Sequence, residues 1–155
     1  MQLKMDHGKI TVEAELRPTE DEEKVIKTIT NFFTPESLEI LDQGDYKIIK
    51  AYSNSFKSLI KLHDSLRIQA ILDASRSYML KRIHGNKLVL LLHKQAAYQG
   101  KISFISYDNE SPLGPIKIII ECNCIGEIID WLAPQTARGK PLWEKRLPDD
   151  KNLGL

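Results

Sequence analysis

Cysteine is nearly absent from this chain: Cys122 and Cys124 are the only two in 155 residues. Two cysteines exclude both a disulfide framework and a four-cysteine zinc site, and the pair reads as buried or half-buried thiols. Histidine is also scarce. His7, His63, His84 and His93 never stand two or four apart, and no H-E-x-x-H occurs, so no metal is expected. His63, on an apolar stripe, reads as a core or rim residue. No apolar run approaches the roughly 18 residues of a membrane-spanning helix. The opening MQLKMDHGK lacks the apolar stretch of a signal peptide. These absences predict a cytoplasmic protein with no membrane partner. G-x-S-x-G, the P-loop and G-x-G-x-x-G are all missing. No pair of carboxylates stands at catalytic spacing either, so neither enzyme activity nor a cofactor is expected.

What is present is the balance of a globular domain: 42% apolar and 28% charged residues. The net charge of +1 hides an uneven distribution. Residues 1–53 carry 7 basic and 11 acidic groups, residues 54–101 carry 9 and 2, and residues 102–155 carry 6 and 8. A basic middle between acidic flanks points to an anionic partner, unless folding interleaves the segments and cancels the field.

Hydrophobic periodicity sets the elements. Residues 9–17 alternate, with Ile10, Val12, Ala14 and Leu16 on one face, so they form a strand with one buried side. Thr19 and Glu22 form a capping-box pattern before a helical stripe that runs to Phe33, and Pro35 breaks it. Residues 38–41 and 46–52 read as a hairpin around Gly44. Two helices, or one bent helix, are predicted between 55 and 83, because the apolar phase slips between Leu66 and Ile68. Residues 87–93, apolar on both faces, read as a central, doubly covered strand. Strands follow at 101–107 and 115–121, then a helix at 125–132. The expected fold class is α+β: a single two-layer domain, mostly antiparallel, with helices packed on one face of the sheet. Residues 1–139 would form the domain and 140–155 an extended C-terminal tail.

Three segments carry chemistry suited to an anion. On the basic helix, Arg67 and Lys81 share a strip with Ala70, Ala74 and Ser77, while Arg76 lies near Gln69 and Asp73. Cations beside small residues admit a phosphate backbone closely; the competing reading pairs Asp73 with Arg76 and makes Ala70 and Ala74 a tight helix contact. The segment HKQAAYQGK, residues 93–101, offers Lys94 and Lys101 for phosphate, Gln95 and Gln99 for base edges and Tyr98 for stacking. It also reads as an ordinary polar connection. In DWLAPQTARGKP, Trp131 and Leu132 anchor a helix, and Arg138 and Lys140 follow around Gly139, free to meet an anion.

The stretches LRPTEDEEKV (16–25), RIQAILDASRSYML (67–80), LHKQAAYQGKISF (92–104), GPIKIIIE (114–121) and IIDWLAPQTARGKP (128–141) occur in this order. Together they resemble a family of small archaeal proteins described as predicted RNA-binding and, in part, as exosome-associated. The resemblance covers most of residues 9–141. It implies a fold similar to the ribosomal large-subunit protein that binds 5S rRNA, and RNA or an RNA-processing complex as partner. Its motifs coincide with Arg67, Gln69, Arg76, Lys94, Gln95, Lys101, Arg138 and Lys140. The expected function is RNA binding through the phosphate backbone with weak sequence readout, since no cluster of aromatics forms a stacking platform. The rival is a protein-interaction module or homodimer without nucleic-acid affinity, using the apolar strand 87–93 and Trp143.

Overall fold

The computed structural model describes residues 8–147. The alternating stretch becomes β1 (Lys9–Leu16), the middle of the sheet, with its apolar residues inward and its polar residues outward. It pairs antiparallel with β3 (Lys47–Ser53) on one side and β6 (Ile116–Glu121) on the other, so that Val12 lies between Ala51 and Ile118. Beyond β3 lies β2 (Ser37–Asp42). Beyond β6 lies β5 (Lys87–Leu92), with the two-residue β4 (Ile83–His84) at its start. The order is β2-β3-β1-β6-β5-β4, and every pairing is antiparallel. The inner face packs into one core with α1 (Glu22–Thr30), α2 (Ile60–Ile68), α3 (Leu72–Leu80) and α5 (Ile125–Leu132). The fold is the α+β single domain expected. No helix among the described residues is long and apolar enough to cross a membrane.

The phase slip resolves as two helices. Ala70 (φ 58°) follows α2 in the left-handed region, Ile71 N–H donates to Leu66 O and Ala70 N–H to Arg67 O. That is the Schellman ending of a helix. The 38–52 hairpin forms with Gly44 (φ 99°) in its turn and Asp42 Oδ1 accepting from the Gly44 N–H. α1 starts later than the capping pattern indicates. Asp21 is its N-cap, with Oδ1 accepting the Glu23 N–H, because Thr19 lies inside a turn closed by the Glu20 N–H donating to Arg17 O.

Residues 101–107 do not form the expected strand; only Phe104 bridges to Leu92. Side chains from α3 and just beyond it take the positions a strand would need. Tyr78 Oη accepts from Leu91 N–H, and Arg82 Nε donates to Val89 O. Strand β5 is consequently not central but second from the edge. It is still covered on both faces near its end, where Leu91 is 3% exposed on the outer side.

The two cysteines are not the free thiols the sequence suggests. They flank the turn from β6 to α5 with Cα atoms 5.1 Å apart and form a disulfide rather than two thiols. Residues 140–147, expected to be extended tail, begin inside a small hairpin of β7 (Thr136–Ala137) and β8 (Lys140–Pro141). They end with Leu147 buried in the core.

Candidate nucleic-acid interface

The segment after β5 is a helix, α4 (Lys94–Tyr98). His93 caps it by accepting the Ala96 N–H at 3.3 Å, and Gly100 (φ 82°) ends it. A left-handed residue is needed there, which favours glycine. α4 docks on α1 through Asn31, whose amide donates to Ala97 O at 2.8 Å and Tyr98 O at 3.3 Å. The Lys27 ammonium lies 5.2 Å from the Tyr98 ring centre. Between the two helices opens a cleft of about 410 Å³, walled by Lys24, Val25 and Thr28 on one side and Gln95, Tyr98 and Gln99 on the other. Gln95, Gln99, Lys101, Lys24 and Lys27 are exposed.

Lys94 forms part of the same cleft but is 4% exposed. Its ammonium donates to Glu15 O at 2.8 Å, Leu113 O at 2.6 Å and the Glu20 carboxylate at 3.1 Å. Burial pushes this lysine below its ordinary range, and the hydrogen bond to Glu20 opposes the shift. With its donors so used, Lys94 ties the end of β1, the start of α1 and the loop before β6 together.

Arg67, Gln69 and Arg76 are likewise bonded within the protein. The Arg67 guanidinium donates to His63 O, Leu132 O and Trp131 O and forms a two-pronged pair with Glu144. Gln69 exchanges two hydrogen bonds with the Ile102 backbone. Arg76 pairs with Asp130, not with Asp73, and donates to Ala133 O. Arg138 (φ 56°) and Gly139 (φ 81°) form the tip of the β7–β8 hairpin, the two positive φ values that a tight turn of this kind requires. Arg138 and Lys140 are exposed. Of the eight residues singled out in the sequence, the structure therefore presents Gln95, Lys101, Arg138 and Lys140 at the surface. Lys24 and Gln95 line the cleft, and Lys27 reaches the Tyr98 ring that borders it. Lys24 and Lys27 were missed because they lie in the acidic third of the chain, although their spacing of three puts them on one helix face.

The Arg67–Glu144 pair has a pH signature. The hydrogen bond from Arg67 holds the Glu144 carboxyl below its ordinary value of 4.5. A carboxyl depressed in the fold contributes stability above the unfolded value and loses it as pH falls through the folded one. The segment around Trp143 is therefore expected to loosen below pH 4.5. Tryptophan fluorescence followed against pH should show this step, and Glu144→Gln should remove it.

A family model described as RNA binding matches residues 9–122. A UPF0201 protein from Aeropyrum pernix is 49% identical over 142 residues, which span 91% of this chain and 95% of the relative. The chain belongs to the UPF0201 family. A UPF0201 protein from Metallosphaera sedula is 46% identical over 92% of this chain and 99% of its own. The crystal structure of the UPF0201 protein from Methanococcus jannaschii superposes with a TM-score of 0.76 at 32% identity, covering 87% of this chain and 99% of that one. A DUF54 protein from Methanothermobacter thermautotrophicus, 18% identical with a TM-score of 0.59 over 81% of this chain and 98% of its own, shares the fold alone. In this UPF0201 chain the matched span runs from β1 to the end of β6. It contains the α1–α4 cleft, while the hairpin with Arg138 and Lys140 lies outside it.

Proposed function

We propose that the protein binds RNA through the phosphate backbone with weak sequence readout. It acts by binding rather than catalysis, in the cytoplasm, within an RNA-processing or degradation assembly. A fold like that of the 5S-rRNA-binding ribosomal protein, which the family resemblance implies, would point the same way. The observation that carries the reading is the rim of the α1–α4 cleft. There Lys24 and Lys27 face a single aromatic ring, Tyr98, and two exposed amides, Gln95 and Gln99, and Lys101 stands exposed just past the end of α4. Cations supply the affinity and amides can reach base edges, while one ring is too few to read a sequence. Glu20 and Asp21 line one end of the cleft and Glu22 and Glu23 follow in the first turn of α1; these carboxylates repel phosphate, so the backbone would run past Lys24 and Lys27 toward Lys101. Arg138 and Lys140 offer a second contact point. Arg67, Arg76, Lys94 and Gln69 hold those contact points in position instead of touching RNA.

Binding of labelled single-stranded RNA across a salt series tests this. Log affinity should fall linearly with log salt, with a slope near −0.7 for each neutralised phosphate. A Lys24→Glu/Lys27→Glu/Lys101→Glu variant should bind far more weakly, and its slope should flatten by about 2. An Arg138→Glu/Lys140→Glu variant measures the hairpin's share. Absence of binding at low salt removes the RNA reading. An unchanged slope in the triple variant removes the cleft from it.

A further inference from the structure

The two edges of the sheet are treated differently. Along β5, beyond the short β4, the edge is occupied almost residue by residue. Val89 N–H donates to Arg82 O, Tyr78 Oη takes the Leu91 N–H, Ile105 N–H donates to Leu91 O and His93 N–H to Ser103 O. At the other edge, β2 is a six-residue strand, SLEILD, with no proline and no lysine. Nothing among the described residues pairs with its outer side. An unprotected edge of this kind is a template for another strand.

The pairing pattern shows which groups face outward. Gln43 N–H donates to Tyr46 O at 2.9 Å. Hydrogen-bonded pairs alternate along an antiparallel ladder, so Leu41 and Glu39 direct their amides and carbonyls to Ile48 and Lys50, and at the start of the strand the Glu36 N–H donates to Tyr52 O. The backbone groups of Leu38, Ile40 and Asp42 point to the open side. The side chains of Leu38 and Ile40 face the core side of the sheet, yet each remains 37% exposed.

We propose that β2 pairs antiparallel with β2 of a second copy of this chain, about a two-fold axis through Ile40. This register engages every outward group: Ile40 meets Ile40 of the second copy, and Leu38 meets Asp42 on each side of it, each pair exchanging two backbone hydrogen bonds. It sets Glu39 opposite Leu41. Sliding the axis to Glu39 opposes two like carboxylates, and sliding it to Asp42 does the same while leaving half the strand unpaired. The Glu39 carboxylate is meanwhile held by the Tyr52 hydroxyl on the outer face. Leu38 and Ile40 of both copies then join into one apolar strip, the self-complementary patch a two-fold interface needs.

Light scattering over a range of concentrations, with hydrogen exchange on the same samples, tests the pairing. The wild type should reach twice the 17.7 kDa chain mass, with slow exchange at the Leu38, Ile40 and Asp42 amides. Ile40→Pro and Ile40→Lys should both give monomers with an unchanged circular dichroism spectrum, since the residue 40 amide makes no bond within its own chain. Ile83→Lys, on the opposite edge, should stay dimeric. A wild type that is monomeric up to millimolar concentration overturns the proposal, whether those amides exchange fast or are protected by the same chain. A dimer that survives both Ile40 variants overturns it as well.

Discussion

Lys94→Ala is expected to lower stability by about 3–5 kcal/mol, the usual loss when one partner of a buried ion pair is removed. The variant strands the Glu20 carboxylate, 11% exposed, along with Glu15 O and Leu113 O. This does not make the pair itself strongly stabilising. Burial pushes the Lys94 ammonium down from 10.5, so its charged form is less comfortable in the fold than in the open chain. Two consequences separate these statements. Lys94→Met combined with Glu20→Gln should cost much less than Lys94→Ala, because no buried charge is left alone. The sign of the pH dependence also follows. The unfolded chain holds the Lys94 proton to higher pH than the folded one, so stability rises with pH between the folded value and 10.5. Replacing Lys94 should remove that rise relative to wild type. Urea unfolding at a series of pH values measures both effects; a Lys94→Ala variant as stable as wild type would refute the tie. Any RNA affinity lost in Lys94→Ala then has to be read against its folded fraction.

Trp131→Ala is expected to cost a similar amount, about 3–5 kcal/mol, as large buried aromatics do when truncated. Trp131 is 4% exposed and stacks on His63 with ring centres 4.7 Å apart. Its carbonyl and that of Leu132 accept from Arg67. Removing the indole opens a cavity at the α2–α5 contact and loosens the Arg67 anchor. The β7–β8 hairpin lies directly after this point, so Arg138 and Lys140 lose their fixed position. Thermal unfolding should show the loss in midpoint. Under conditions where the variant remains folded, the hairpin's share of RNA affinity should fall while the share from Lys24, Lys27 and Lys101 persists. Equal loss from both would mean that the two contact points are not independent.

Much of the architecture is legible in the sequence. The period-two pattern of Ile10, Val12, Ala14 and Leu16, the hairpin around Gly44 and the slip between Leu66 and Ile68 all appear where expected. These features depend on neighbours within about four positions, so a single strand of text contains them. The fate of each cation does not. Arg67 is engaged by a carbonyl 65 residues away and Lys94 by a carboxylate 74 residues away, while Gln95, next in the chain to Lys94, is exposed. Neither alternation nor charge count distinguishes these two neighbours; the crossing of β1, α1 and the loop before β6 does. The same holds for Lys24 and Lys27, which become part of a basic rim only because α4 folds against α1. The disulfide of Cys122 and Cys124 depends on the turn that brings the two together. The sequence by itself determined the fold class, most of the elements though not α4 or the β7–β8 hairpin, and the presence of basic and amide groups. Only the tertiary structure decided which of those groups hold the protein together and which face outward, because a side chain's partner is chosen by where distant segments meet.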